Sequence, residues 1–292
     1  MNQTTTSSWR GYLELTKPGV QALLFVSCIS GMLIGSKFSP PLSIFIFGLL
    51  GISFLAASAA VINHIFDSEI DAKMNRTASR PLVKGSITEF SASVFAAALY
   101  VSGSLMLLIY VNALTWILTS LTFIFYAFIY TRYLKFMTSQ NIVIGGLAGA
   151  MPPLLGWTAV SNTIEPNAWL LVLIVMVWTP PHFWALAVYR VDDYAEAAVP
   201  MLPVQKGIAF TKQHIVLYTL LLLASTMLPY AVNMFQELYL VVALILGLGF
   251  LYFSIKLYRD DTNASAMQTF AYSISYLAAL FGAMLVDQYL YL

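Results

Sequence analysis

Charge in this chain is concentrated at a regular spacing in residues 63–81, NHIFDSEIDAKMNRTASRP, within an otherwise apolar sequence. Asn63, Asp67 and Asp71 fall four residues apart, so on a continuous helix they share one face, about 5–6 Å from one another. An oxygen-lined stripe of that kind suits a hard cation such as Mg2+, which takes one or two carboxylates and leaves its other positions to water and phosphate oxygens. Arg76 and Arg80 follow, again four apart. Guanidinium forks beside carboxylates are the parts expected of a site that holds a diphosphate. Carboxylates at a helix end are often no more than a solvated cap. Here the stripe emerges from a membrane span, where an ionisable group costs about 2.5–3.5 kcal/mol at mid-depth and marks function.

The elements that must position these groups follow from composition. The chain has 292 residues, of which 60% are hydrophobic and 9% charged, against about 25% charged in soluble domains. That predicts an all-α polytopic membrane protein. A net charge of +1 with no basic patch excludes nucleic acid as a partner. The single cysteine, Cys28, excludes an intrachain disulfide and a cysteine metal cluster. The polar first 17 residues, with Glu14, lack the composition of a cleaved leader and predict a short cytoplasmic segment. Spans of about 20 apolar residues fit nine times, roughly at 18–38, 42–66, 90–110, 113–131, 141–160, 168–188, 213–233, 238–257 and 268–288. The uncharged stretch 90–131 is too long for one span and is broken near Asn112. With a cytoplasmic N-terminus this count puts every basic residue except Lys37 on the cytoplasmic side and the C-terminus outside. It reads as one membrane domain, 1–292, whose two longest cytoplasmic loops are 67–89 and 189–212.

The second of these loops carries Tyr189, Arg190, Asp192, Asp193, Tyr194 and Glu196. Two acidic clusters at one end of an apolar bundle suit a ligand with a charged diphosphate head and a hydrocarbon tail. Metal ions neutralise a departing diphosphate and so ease ionisation of an allylic C–O bond. Phe66, Trp184, Tyr189 and Tyr194 offer ring faces to a carbocation, or serve as packing and interfacial residues. Pro152, Pro153, Pro180 and Pro181 are expected to kink spans five and six.

The run N-x-x-x-D-x-x-x-D at 63–71 resembles the first aspartate-rich motif of the intramembrane aromatic prenyltransferase superfamily. Its continuation DAKMNRTASRPLVKG, with LTKPGV at 15–20, GGLAGAMPPLLGW at 145–157, TPPHFWALA at 179–187 and DDYAEAAVPMLPV at 192–204, is similar to the protoheme IX farnesyltransferase branch. These ordered blocks span most of the chain. The resemblance implies nine helices around a central cavity in a bacterial inner membrane. It implies farnesyl transfer from farnesyl diphosphate to the 2-vinyl group of heme B, with water addition, giving heme O. It also implies Mg2+ on Asn63, Asp67 and Asp71, diphosphate contacts from Lys73, Arg76 and Arg80, and a second metal region at Asp193 with Asp192. His182 and His64 become candidate heme contacts, and a heme-modifying enzyme or terminal oxidase a candidate partner. The second loop departs from the pattern in lacking a repeated D-x-x-x-D, and Ala198 stands where many members of this branch carry glycine.

Two other readings remain open on the residues alone. A prenyltransferase for another aromatic or quinone-precursor acceptor would share the aspartate stripe. A cation-coupled secondary transporter would use the same intramembrane carboxylates and proline-broken helices.

Overall fold

The computed structural model describes residues 9–74 and 77–291. Among the described residues nine helices are long and apolar enough to cross a membrane. They are Pro18–Gly35, Leu42–Asp71, Glu89–Tyr110, Ala113–Met137, Asn141–Ser161, Pro166–Tyr189, Ile208–Ala231, Glu237–Arg259 and Ala266–Leu290, here spans one to nine. A short helix, Trp9–Leu15, precedes them, and two others, Val191–Glu196 and Leu202–Lys206, lie between spans six and seven. The protein is a multi-pass, all-helical membrane protein.

Spans five and six are the spine of the bundle, 72% and 78% buried along their apolar windows, whereas every other span is at most half buried and turns the rest toward lipid. Because lipid is as apolar as the core, helices here associate through close backbone approach and hydroxyl hydrogen bonds. Span one crosses span five at Gly31 and Gly156, where an added Cβ would lie 2.0 Å from the Pro153 carbonyl oxygen and 2.1 Å from that of Cys28. Replacing Gly31 by Ala must push two backbones apart. We expect a stability loss of about 1–3 kcal/mol, read as a lowered thermal midpoint in detergent; an unchanged midpoint would show that the crossing is loose. Elsewhere the Thr219 and Ser254 hydroxyls meet at 2.9 Å, Thr115 meets Thr158 at 3.1 Å, and Ser58 donates to the Ala96 carbonyl at 2.7 Å.

The break expected near Asn112 is real. Its Oδ1 accepts the Thr115 amide at 2.8 Å, which starts span four, while its Nδ2 donates to the Thr158 and Ala159 carbonyls of span five. Buried Asp287 of span nine accepts the Gln236 and Tyr239 amides at 2.7 and 3.0 Å, capping span eight in the same way. Between spans eight and nine, hydrogen bonds from Ser265 and Thr262 hold the Asp260 carboxyl well below the usual carboxylate range.

Three features differ from the expected boundaries. Span two does not stop at residue 66 but continues as one helix to Asp71. Span four extends to Met137 through a π-helix at Phe125–Leu134. Span seven begins at Ile208. All four of the expected kinking prolines are buried; span five is interrupted at Met151, just before Pro152, into Asn141–Ala150 and Pro152–Ser161, whereas Pro180 and Pro181 sit inside an unbroken span six, and Pro153 packs at the crossing with span one.

Candidate active site

Because span two runs unbroken through Asp71, Asn63, Asp67 and Asp71 do form one stripe, and all three are buried, at 3–4% exposure. A buried carboxylate needs a partner, and each member of the stripe has one from a different part of the chain. Lys17, at the start of span one, donates from Nζ to Asn63 Oδ1. Lys135, at the end of the π-helix, places its Nζ 2.8 Å from Asp67 Oδ1. Arg80, in the segment between spans two and three, pairs through NH1 with Asp71 Oδ2. Asn63 Nδ2 ties the stripe together, donating to Asp67 Oδ2 at 3.0 Å and to Thr131 Oγ1 at 3.1 Å.

The local backbone explains how these groups arrive. Lys17 holds a left-handed conformation, φ 53° and ψ 60°, at the entry to a helix begun by Pro18. In the π-helix the Thr131 hydroxyl donates to the Tyr126 carbonyl, five residues back, and the Lys135 amide reaches Tyr130. Such insertions are frequent at functional sites because they re-aim side chains. The segment after Asp71 folds beneath the stripe, with buried Thr77 donating to the Asp71 carbonyl at 2.9 Å.

Of the expected diphosphate contacts, Arg80 joins the stripe, Lys73 is exposed, and Arg76 lies outside the described residues. Lys17, Lys135 and Thr131 were not among the expected site residues. Lys17 sits in the quoted LTKPGV block, and Lys135 follows an aromatic run, FYAFIYTRYL; a cation at a span end next to polar residues is the signal both carry.

The second acidic cluster lies on the short helix Val191–Glu196. Asp193 pairs locally with Arg190, NH1 to Oδ2 at 3.4 Å, while Asp192 and Glu196 are exposed. Among the described residues no group of three His, Cys, Asp or Glu side chains converges. Tyr194, on the same short helix, is buried. Ala198 takes φ 53°, a left-handed conformation that favours glycine.

His182 is buried in the bundle, its ring stacked at 4.2 Å on Trp178 and 4.5 Å on Phe270, with Nδ1 2.6 Å from Ser273 Oγ. His64 is also buried, and neither of its ring nitrogens has a hydrogen-bond partner. The aromatic candidates divide. Trp184 is fully buried edge-on to Tyr218, Tyr189 carries Arg190 on its face, and Phe66 carries Arg132 at 5.4 Å. Phe66, Ile62 and Ile65 line an apolar crevice of about 400 Å³ between spans two, three and four. Ile62 and Ile65 stand about 100° and 160° around the helix from Asn63, so the crevice is on the opposite face of span two from the carboxylates.

Comparison with known proteins places this geometry. Residues 24–281 match the UbiA prenyltransferase family. The chain is 52% identical to the protoheme IX farnesyltransferase of Saccharophagus degradans over 284 residues, covering 97% of this chain and 94% of that one. It is 53% identical to protoheme IX farnesyltransferase 1 of Pseudomonas putida over 286 residues, covering 98% and 96%. A solved digeranylgeranylglyceryl phosphate synthase superposes with a TM-score of 0.79 at 23% identity, covering 96% of this chain and 98% of that one. A UbiA homologue from Archaeoglobus fulgidus bound to DMAPP and Mg2+ superposes with a TM-score of 0.67 at 17% identity, covering 94% and 98%. The last two establish the shared fold, and the sequence relatives establish the branch. The chain belongs to the UbiA prenyltransferase family, within the branch of the protoheme IX farnesyltransferases.

Proposed function

We propose that the protein transfers the farnesyl group of farnesyl diphosphate to the 2-vinyl group of heme B, with addition of water, in a Mg2+-dependent reaction that yields heme O and diphosphate. The observation that carries this reading is the convergence of Lys17, Lys135 and Arg80 on the buried Asn63, Asp67 and Asp71 stripe. Cations gathered around carboxylates at the end of an apolar bundle fit a metal-bound diphosphate; a transporter's cation site has no use for so many competing positive groups. The names of the sequence relatives supply the acceptor.

The donor set fits a hard cation. Two carboxylates and an amide oxygen leave several positions for phosphate oxygens and water, as Mg2+ requires. Asn63, Asp67 and Asp71 would hold it, with Asp193 and the exposed Asp192 at a second position. When bound, Mg2+ supplies neutralisation of the charge that builds on the departing diphosphate. Arg80, Lys17 and Lys73 would contact the outer phosphate oxygens, the role also expected of Arg76. The C1–O bond of the donor breaks, the terminal vinyl carbon of heme bonds to farnesyl C1, and water adds at the neighbouring vinyl carbon with loss of a proton. Of the two histidines, His182 is the better heme contact, since it lies between aromatic rings away from the head-group cations. His64 leaves its ring nitrogens for a substrate oxygen. Thirteen basic residues on one side of a nine-span count support a cytoplasmic N-terminus and an outward C-terminus, and the bacterial sources of the sequence relatives support a bacterial cytoplasmic membrane.

The test is to incubate purified protein with heme B, farnesyl diphosphate and Mg2+, with and without chelator, and to analyse the pigments by mass spectrometry. A chelator-sensitive hydroxyethylfarnesyl heme is the expected product. Prenylation of an aromatic acid with heme unchanged would move the acceptor to the other prenyltransferase reading.

A further inference from the structure

Each residue of the stripe already has a cation of the protein's own against one of its oxygens. Lys17 faces the neutral amide oxygen of Asn63, and Arg80 presents a planar fork to Asp71. Lys135 differs. Its charge sits on a flexible four-carbon stem against a carboxylate oxygen, and its side chain, like that of Arg80, keeps some exposure, 14% against 6% for Asp67. Asp67 does not depend on Lys135 for its position, since Asn63 Nδ2 holds the other carboxylate oxygen and is itself anchored on Thr131.

We propose that Lys135 is a positioning residue that competes with the metal for Asp67 and passes to the diphosphate when that arrives, so that metal and diphosphate bind as a coupled pair. The inference rests on the reading of the stripe as a metal–diphosphate site and adds how that site is loaded. A divalent ion at Asp67 Oδ1 would stand beside the ammonium group that lies 2.8 Å from that oxygen, and two cations on one buried carboxylate oxygen repel each other. With no phosphate present the displaced lysine has only water to move to. With a diphosphate present, the same movement gives it an anionic partner, and the repulsion that opposed the metal becomes an attraction that favours it. The consequence is that free metal stays off the site and the donor is taken up already neutralised.

The experiment uses full-length protein in detergent, Mn2+ as the spectroscopic metal and inorganic pyrophosphate as the anion. Mn2+ affinity is measured with and without pyrophosphate, after correction for the complex the two form in solution. In the unaltered protein pyrophosphate should tighten Mn2+ binding by about tenfold or more, and Mn2+ should tighten pyrophosphate binding by the same factor. In Lys135→Met, Mn2+ alone should bind about tenfold tighter, pyrophosphate alone should bind more weakly, and the coupling factor should fall toward one. Lys135→Gln should behave likewise and serves if the methionine variant does not fold, whereas Lys135→Arg should restore coupling. A neutral variant with unchanged or weaker Mn2+ affinity and intact coupling would overturn the proposal. Absence of Mn2+ binding even with pyrophosphate would instead overturn the metal–diphosphate reading, and this inference with it.

Discussion

Asp67→Asn is expected to reduce farnesyl transfer by at least about 10²–10³-fold while leaving the protein inserted and folded. The substitution keeps the shape of the side chain, and the new amide oxygen can still accept from Asn63 Nδ2, which now lies 3.0 Å from Asp67 Oδ2. What it removes is the charge. Asp67 and Asp71 are the two carboxylates of the stripe, so the variant halves the negative charge available to a metal. The opposing worry is structural: stripping one partner from a buried ion pair costs about 3–5 kcal/mol where the survivor stays dry. Lys135 does not stay dry, because its partly exposed side chain can carry the ammonium out to water along its own stem. The effect on activity should therefore far exceed the effect on stability. The check is heme turnover per mole of extracted protein beside a thermal midpoint. If the variant is lost from the membrane, or if it turns over normally, Asp67 is a structural residue.

That variant concerns the part of the site that could be read from the chain itself. Asn63, Asp67 and Asp71 are four apart on one helix, and helical periodicity alone puts them on one face. The nine spans were legible for a similar reason: each is a local property of about 20 residues, and the only doubtful division, at Asn112, was marked by a residue that can cap a helix. Of the cations that complete the stripe, Arg80 was legible from its place just after the carboxylates, whereas Lys17 and Lys135 were not. These two come from other segments, and no periodicity within span two reports what packs against it. Lys135 was further hidden because a count of about 20 apolar residues ended span four at residue 131 and left the lysine in a loop, whereas the helix continues through the π-helix at Phe125–Leu134. The second acidic loop was legible as a cluster, but its chemistry was not. Asp193 satisfies itself on Arg190 three residues away, a local pairing that competes with any longer reach toward the stripe. Ala198 was visible as a departure from glycine, and its reason, a positive φ, only from the backbone.

His182→Phe is the second substitution with a large expected effect, and its design separates heme contact from packing. The His182 ring is stacked between Trp178 and Phe270, at interplanar angles of 18° and 24°. Pairs of this kind contribute about 0.5–1.5 kcal/mol each beyond the area they bury, so His182→Ala would lose stability whatever the ring nitrogens do. Phenylalanine keeps the stack and removes the nitrogens. The Ser273 hydroxyl lies 2.6 Å from both the Phe270 carbonyl and His182 Nδ1, and a hydrogen bond at Nδ1 orients the ring so that Nε2 is the nitrogen left to face an iron or another electrophile. We expect His182→Phe to fold with a thermal midpoint near that of the parent, to weaken heme B binding by about tenfold or more, and to shift the Soret band of the heme that still binds. Mn2+–pyrophosphate coupling should be unchanged, because the histidine contacts none of the stripe residues. Ser273→Ala should show a smaller loss of the same kind, since it frees the ring's orientation without removing the nitrogen. A phenylalanine variant with normal heme affinity and spectrum would leave His182 as a packing residue and return the iron to some other ligand.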